Sequence, residues 1–479
     1  MEFLFGHEYW LARFVIQRGL GVIYLLAFLG VLHQFKPLLG ENGLLPVPRF
    51  LKMADFGQTP SIFHIFYSDK FLAIIAWCGV ILSLIIIFGI AEKLPWWGIA
   101  SIFALLWLLY LSIVNVGQTF YSFGWESLLL EVGFLVIFLG AGKMSVPVLI
   151  IWFMRFTLFR LEFGAGLIKL RGDECWRDLT CLNYHHETQP MPNPLSWFFH
   201  NLPEPLHKLE VLGNHFFQLV APWGLFFPQP IAAISGGLIM FSQFWLVLSG
   251  NFAWLNWMAI ILAFSAFPNL ALGKILPFTM PQNLAVTPTF QGIVVFVALI
   301  LAFMAIWPLK NMLSRRQMMN ASFNSLHIMN TYGAFGTVTK ERNEIVIEGT
   351  SDEVITPQAQ WQEYEFKGKP GNIYRLLRQY APYHLRLDWL MWFQAFNPPG
   401  YYEPWFAAFI QKLLEGDKEV LSLLRHNPFP DNPPRFIRAR YYLYEFTTPQ
   451  ERRESKSWWK RTLISEYLPP VTLETLQMR

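Results

Sequence analysis

Residues 71–90 read FLAIIAWCGVILSLIIIFGI, twenty positions without a charge. A helix of that length is about 30 Å long, the thickness of the hydrocarbon core of a bilayer. Residues 96–116 (WWGIASIFALLWLLYLSIVNV) and 290–309 (FQGIVVFVALILAFMAIWPL) repeat the pattern. Outward from these, apolar runs at 14–35, 125–140, 148–169, 211–228, 231–250 and 253–272 bring the expected number of spans to about nine. The fourth, 125–140, is short and holds Glu126 and Glu131; the sixth, 211–228, is interrupted by Pro222 and is open to a re-entrant reading. Trp96, Trp97, Trp125, Trp152, Trp254 and Trp307 lie mostly near the ends of the runs, where amphipathic rings settle at a membrane surface.

Charge divides the chain. Of its 70 Asp, Glu, Lys and Arg residues, 33 fall in 1–317 and 37 in the much shorter remainder, 318–479. The expectation is a polytopic α-helical membrane bundle over 1–317, with extramembrane loops at 36–70 and 170–210. A soluble α+β domain containing an antiparallel sheet follows over 318–479. Strands are expected at 327–338, 344–350, 361–367 and 436–446, and helices at 405–414 and 419–424. The aromatic segment 383–396 (YHLRLDWLMWFQAF) suits either the membrane face or the core of this domain. The first residues, MEFLFGHEYWLARF, carry two Glu and no short apolar core ending in small residues, so the first apolar run is expected to remain as an anchor. The net charge of +4 is diffuse and suggests no nucleic-acid partner.

Three features bear on chemistry. Cys175 and Cys181, six apart in an extramembrane loop, suit a small disulfide-closed loop; two free thiols, or redox or metal use, are the alternatives. A disulfide needs an oxidising compartment, which puts this loop and the C-terminal domain outside the cytoplasm. The Lys/Arg count opposes that orientation, with 11 near the spans on the C-terminal side against 5 on the other. Most of these sit in long or structured loops, where the positive-inside rule is weak.

The second feature is a row of ionisable residues in the fifth span. Arg155, Glu162 and Lys169 are spaced i, i+7, i+14 and share one helical face, with Arg160 nearby. Charges at this depth require protein or water around them, and Glu126 and Glu131 are the natural partners. The row is either a polar active site or relay (Glu131, Arg155, Arg160, Glu162 and Lys169) or an interhelical ion-pair lock. The third is NYHHETQPMPNP at 183–194, holding His185, His186 and Glu187. Adjacent histidine side chains diverge on most backbones, so an ordered loop is expected there and no metal site. His200, His207 and His215 follow at no recognised ligand spacing. No phosphate-binding glycine loop, GxSxG or HExxH occurs, and no cofactor is expected.

The run LFRLEFGAGLIKLRGDECWRDLTCLNYHHETQPMPNPLSWFFH at 158–200 resembles the signature of the lipase maturation factor family. NTYGAFGTVTKERNEIVIEGT at 330–350, then WQEYEFK at 361–367 and PYHLRLDWLMWF at 382–393, resemble the family's C-terminal domain in order. The membrane part distantly resembles the superfamily of the vitamin K-dependent gamma-carboxylase, but no catalytic residue of that enzyme is matched and no active site is transferred. The family resemblance implies a chaperone-like factor in the endoplasmic reticulum membrane of eukaryotes, or the inner membrane of bacteria. Its partner would be a secreted client, a lipase such as lipoprotein lipase, and it need perform no covalent chemistry. Candidate client contacts are Trp176, Arg177, Asp178, His185, His186, Glu187, Tyr332 and Phe335 on the signature segments. The competing function is a membrane enzyme acting on a lipid or peptide through the charged face of the fifth span.

Overall fold

The computed structural model describes residues 4–278, 280–282 and 284–477. Helix α1 (Trp10–Leu39) runs 30 residues, uncharged between Arg18 and Lys36. It packs against α2 (Asp69–Ile87), and α3 (Trp96–Val116) follows. Close approach of α1 and α2 depends on a glycine: a Cβ on Gly79 would meet the Phe28 ring at 2.4 Å. With little hydrophobic drive between helices in lipid, such small residues let dispersion contacts hold them together. The short α4 (Gly124–Ile137) leads to α5 (Val148–Arg171), which is central and almost wholly ringed by protein. After the loop helices α6 (Leu182–Thr188) and α7 (Glu204–His215) come α8 (Ile231–Ser249), α9 (Leu255–Ala263) and α10 (Pro288–Met304). Exposed stripes such as Ile74, Trp77 and Ile81 on α2 and Phe296, Leu299 and Phe303 on α10 are the surface a bilayer covers.

Among the described residues, five helices are long and apolar enough to cross a membrane: α1, α2, α3, α8 and the α10 segment reaching Leu313. Five of the nine expected runs are met by helices of this kind, and the other four take other forms. Helix α4 has only 14 residues. Helix α5 has 24 but carries Arg155, Arg160, Glu162, Lys169 and Arg171. The 211–228 run breaks into the end of α7, a wide turn at Phe216–Val220 and a tight helical turn at Ala221–Phe226 containing Pro222. The 253–272 run holds only the nine-residue α9 and short turns. A hydropathy window cannot tell a buried apolar helix from a lipid-facing one: α4 and α9 are mostly buried in the bundle, whereas Leu212, Phe216, Val220, Trp223 and Phe227 of the 211–228 run are exposed.

The C-terminal part holds a four-stranded antiparallel sheet. Its strands are β1 (Arg342–Thr350), β2 (Gln362–Glu363), β3 (Phe436–Phe446) and β4 (Trp459–Val471), in the order β2-β1-β3-β4. Ile345 pairs with Tyr441 and Tyr442 with Leu463. Helices α11 (Arg386–Gln394) and α12 (Pro404–Leu414) pack with it; Trp405, Phe406, Phe409 and Leu413 of α12 are buried. The strand expected at 327–338 is absent. That stretch is an irregular strap whose polar groups are spent on the bundle: Asn330 N and the Tyr332 hydroxyl donate to Glu131 Oε2 at 2.9 and 2.8 Å. The 361–367 strand shrinks to the two residues of β2.

The domain is fastened to one end of the bundle. Arg342 donates to the carbonyls of Glu187 (2.9 Å), Gln189 and Pro190 (3.1 Å). Gln34 of α1 donates to His384 O at 2.7 Å, and Lys36 pairs with Glu419. The 170–210 loop and the C-terminal end of α1 thus share a side with this domain. The aromatic 383–396 segment lies against the start of α4, with Trp125 and Trp389 ring centroids 4.8 Å apart.

Candidate functional site

The charged residues of α5 meet three separate fates. Arg160 forms a buried ion pair with Glu131, both 1% exposed. Thr157 Oγ1 (3.0 Å), Asn330 Nδ2 (3.0 Å) and Tyr332 also donate to that carboxylate, so both of its oxygens are hydrogen-bonded. Among the described residues Arg155 finds no carboxylate. It donates to the carbonyls of Ser265 (3.0 Å) and Leu225 (3.2 Å) and lies over the Tyr9 and Trp152 rings. Glu162 and Lys169 belong to a third environment. Gln243 Nε2 donates to Glu162 Oε1 at 2.7 Å, and Asn256 Nδ2 donates in turn to Gln243 Oε1 at 2.9 Å. Lys169 Nζ donates to Gln218 Oε1 at 2.8 Å and Asn214 Oδ1 at 3.2 Å, with the Trp176 ring 4.8 Å away.

Glu162 and Lys169 face a cavity of about 1180 Å³ between α5, α7, α8, the strap at 333–337 and α11. This is at or above the upper end of small-molecule pockets, roughly 300–1,000 Å³. Its wall is mainly apolar, with Leu209, Phe217, Phe241, Trp245, Trp392 and Phe396 among the lining residues. The cation and carboxylate are therefore two fixed polar points in a greasy chamber, the form expected of a site that takes an apolar occupant and orients it.

The structure gathers Glu162, Lys169, Trp176, His185, His186 and Phe335 around this cavity. Trp176 Nε1 donates to Phe335 O at 2.8 Å, and the His185 ring lies 4.8 Å from that of Phe335. Glu131, Arg155, Arg160, Arg177, Asp178, Glu187 and Tyr332 are not part of its wall. Arg177 and Asp178 are exposed at the loop surface. Glu187 is buried under β3, where it accepts from Phe446 N, and burial pushes its carboxyl up to about 7. Sequence reasoning missed Asn214, Gln218, Gln243 and Asn256. The available signal was an amide side chain inside an otherwise apolar run, which needs a polar neighbour for the reason a charge does.

Cys175 and Cys181 lie at bonding distance with Cα atoms 4.8 Å apart. Both are buried with Trp176, Leu182 and Val211, so the cysteine loop is packed directly behind the cavity wall. The profile of the lipase maturation factor transmembrane domain matches residues 11–274, and that of the lipase maturation factor C-terminal domain matches 328–469. The chain belongs to the lipase maturation factor family. Lipase maturation factor 1 of Homo sapiens is 41% identical to it across 98% of this chain and 89% of the human protein. The Bos taurus counterpart is 40% identical with 98% and 90% covered. Lipase maturation factor 2 of Xenopus laevis is 30% identical with 98% and 83% covered. No solved structure matches the chain. The two family profiles fall on the two parts that enclose the cavity, the helical bundle and the domain fastened to it.

Proposed function

We propose that this protein is a membrane-anchored maturation factor that assists the folding or assembly of secreted lipases. Residues 1–317 serve as the anchor and 318–479 as the water-facing domain. The observation that carries the reading, beside family membership, is the chamber between the two, which is large and mostly apolar. A partly folded client exposes apolar segments that its finished state buries, and such a chamber covers one without covalent chemistry. The fixed Lys169 and Glu162 give that segment polar partners at its ends.

The cysteine pair supports an oxidising compartment for the loop and the C-terminal domain. That is the endoplasmic reticulum lumen in a eukaryote and the periplasm in a bacterium. Placing a photo-reactive residue at Leu209 or Phe396, on the chamber, and at Leu299, on the lipid face of α10, tests the reading. The chamber positions are expected to yield adducts with co-expressed lipase and Leu299 none. Equal labelling from all three, or none from the chamber, would overturn it.

A further inference from the structure

One side of the cavity carries a constellation with no part in the reading above. His186 stands on α6; His207 and Glu210 stand three apart on α7 and so share a face. One ligand atom from each lies within 4.8 Å of the others. His186 and His207 are 2% and 3% exposed.

Each side chain is oriented from behind. His207 Nε2 meets the His200 carbonyl at 3.3 Å, so that nitrogen carries the proton and Nδ1 presents its lone pair. Trp245 Nε1 donates to Glu210 Oε1 at 2.5 Å, which leaves Oε2 turned toward the imidazoles. Oε2 is 3.5 Å from His186 Nε2 and 3.6 Å from His207 Nδ1. Among the described residues none of these three atoms makes a hydrogen bond beyond these long contacts, and His186 Nδ1 has no partner either. Buried polar atoms rarely go unpaired, and here four cluster together. The separations are long for hydrogen bonds but close to the edge of a coordination tetrahedron, since two ligands about 2.0–2.1 Å from a zinc ion lie roughly 3.4 Å apart. The adjacent His185 turns away toward Phe335, so the cluster is assembled by tertiary contact with α7 and not by the His185–His186 pair itself.

We propose that His186, His207 and Glu210 form a binding site for a divalent transition metal of the zinc class. Two imidazoles and one carboxylate are a ligand set that zinc accepts with three protein donors and one exchangeable position. His186 and Glu210 also line the cavity, so the fourth position faces its interior. A water molecule, or an oxygen, nitrogen or sulfur donor of whatever occupies the chamber, completes the shell. The His200 carbonyl and the Trp245 indole are the supporting contacts that fix the donors.

The test uses the full chain in detergent, purified with a histidine-free tag, stripped with chelator and reloaded with Zn²⁺ alone. Elemental analysis is expected to give about one zinc per chain, as a three-residue site predicts. Co²⁺ in its place is expected to give the visible absorption of a low-symmetry four-coordinate site. Glu210→Gln and His207→Ala are each expected to weaken zinc at least about 100-fold, and Trp245→Phe about 10-fold, because supporting contacts alone matter at that level. Trp245→Phe keeps the ring and serves if a ligand variant does not fold. Failure of the wild-type chain to retain zinc overturns the proposal; so does retention unchanged in all three variants. Neither result bears on lipase maturation, which is read separately.

Discussion

Arg386 Nη1 of α11 lies 2.7 Å from Glu126 Oε1 of α4, with both side chains at or below 1% exposure. The pair ties the C-terminal domain to the membrane bundle. Tyr110 donates to the same carboxylate, and the Arg386 guanidinium also donates to Phe120 O at 2.7 Å and covers the Tyr121 ring. Glu126 thus serves the joint between the two parts and not the charged row of α5. Removing one partner strands a buried charge, so Arg386→Met is expected to cost about 3–5 kcal/mol, and Glu126→Gln with Arg386→Met distinctly less than the sum. Thermal unfolding of the four proteins in detergent measures this. Additive losses would contradict the pairing.

Glu131 and Glu162 are expected to respond in opposite ways to the same change. Glu131→Gln breaks a buried ion pair with Arg160 and is expected to destabilise by about 3–5 kcal/mol. Glu162 has no cation within 4 Å among the described residues, its bond being to Gln243. Glu162→Gln is therefore expected to keep expression and melting temperature near wild type. Equal loss in both variants would show that Glu162 belongs to the lock after all.

Cys175 and Cys181 have Cα atoms 4.8 Å apart, inside the roughly 4.4–6.8 Å that a disulfide spans. Closing this loop contributes about 2–3 kcal/mol by the chain-entropy account. Cys175→Ser and Cys181→Ser are expected to harm folding equally, and the double variant no more than either. Thiol labelling of the denatured protein should modify Cys78 alone. Labelling of three thiols would remove the structural argument for an oxidising compartment.

Burial holds the imidazoles of His327 and His384 down to about 4. The unfolded chain takes up these protons near the usual 6.5 and the folded one does not, so stability rises with pH across that window. The contribution is complete above about 6.5 and lost as pH falls toward 4, on the order of 3 kcal/mol for each histidine at full effect. Melting temperature is expected to drop between pH 7.5 and 5, and His384→Gln to flatten the slope. An unchanged slope in that variant would rule His384 out as a source.

The sequence reveals most where burial is one-sided. Helices α2, α3 and the α10 segment contain uncharged runs of bilayer length, and β3 alternates as a half-covered strand does, whereas β1 is buried along nearly its whole length. The i, i+7, i+14 row of α5 is also legible, but not that Arg155, Arg160 and Glu162 would go to three different partners, because those come from distant elements. Strand β4 (WKRTLISEYLPPV) escapes notice because Lys460, Arg461, Glu466 and the Pro469–Pro470 pair obscure its alternation. The strap at 327–338 reads as a strand from its short mix of apolar and polar residues, but residues 328–333 are buried in an unbroken row and its polar groups bond to Glu131. The His186–His207–Glu210 cluster spans 25 residues of chain and exists only once α7 folds against α6.

The chamber between bundle and domain is proposed to serve lipase maturation. Its most direct test is the specific activity of a lipase secreted by cells lacking their own family member, with and without this chain. The account predicts that the wild-type chain raises activity per lipase molecule. It also predicts that Ala165→Trp, which fills the chamber from α5, abolishes the rise at normal expression, while Phe296→Trp on the lipid face preserves it. No rise with wild type, or an undiminished rise with Ala165→Trp, would contradict the account.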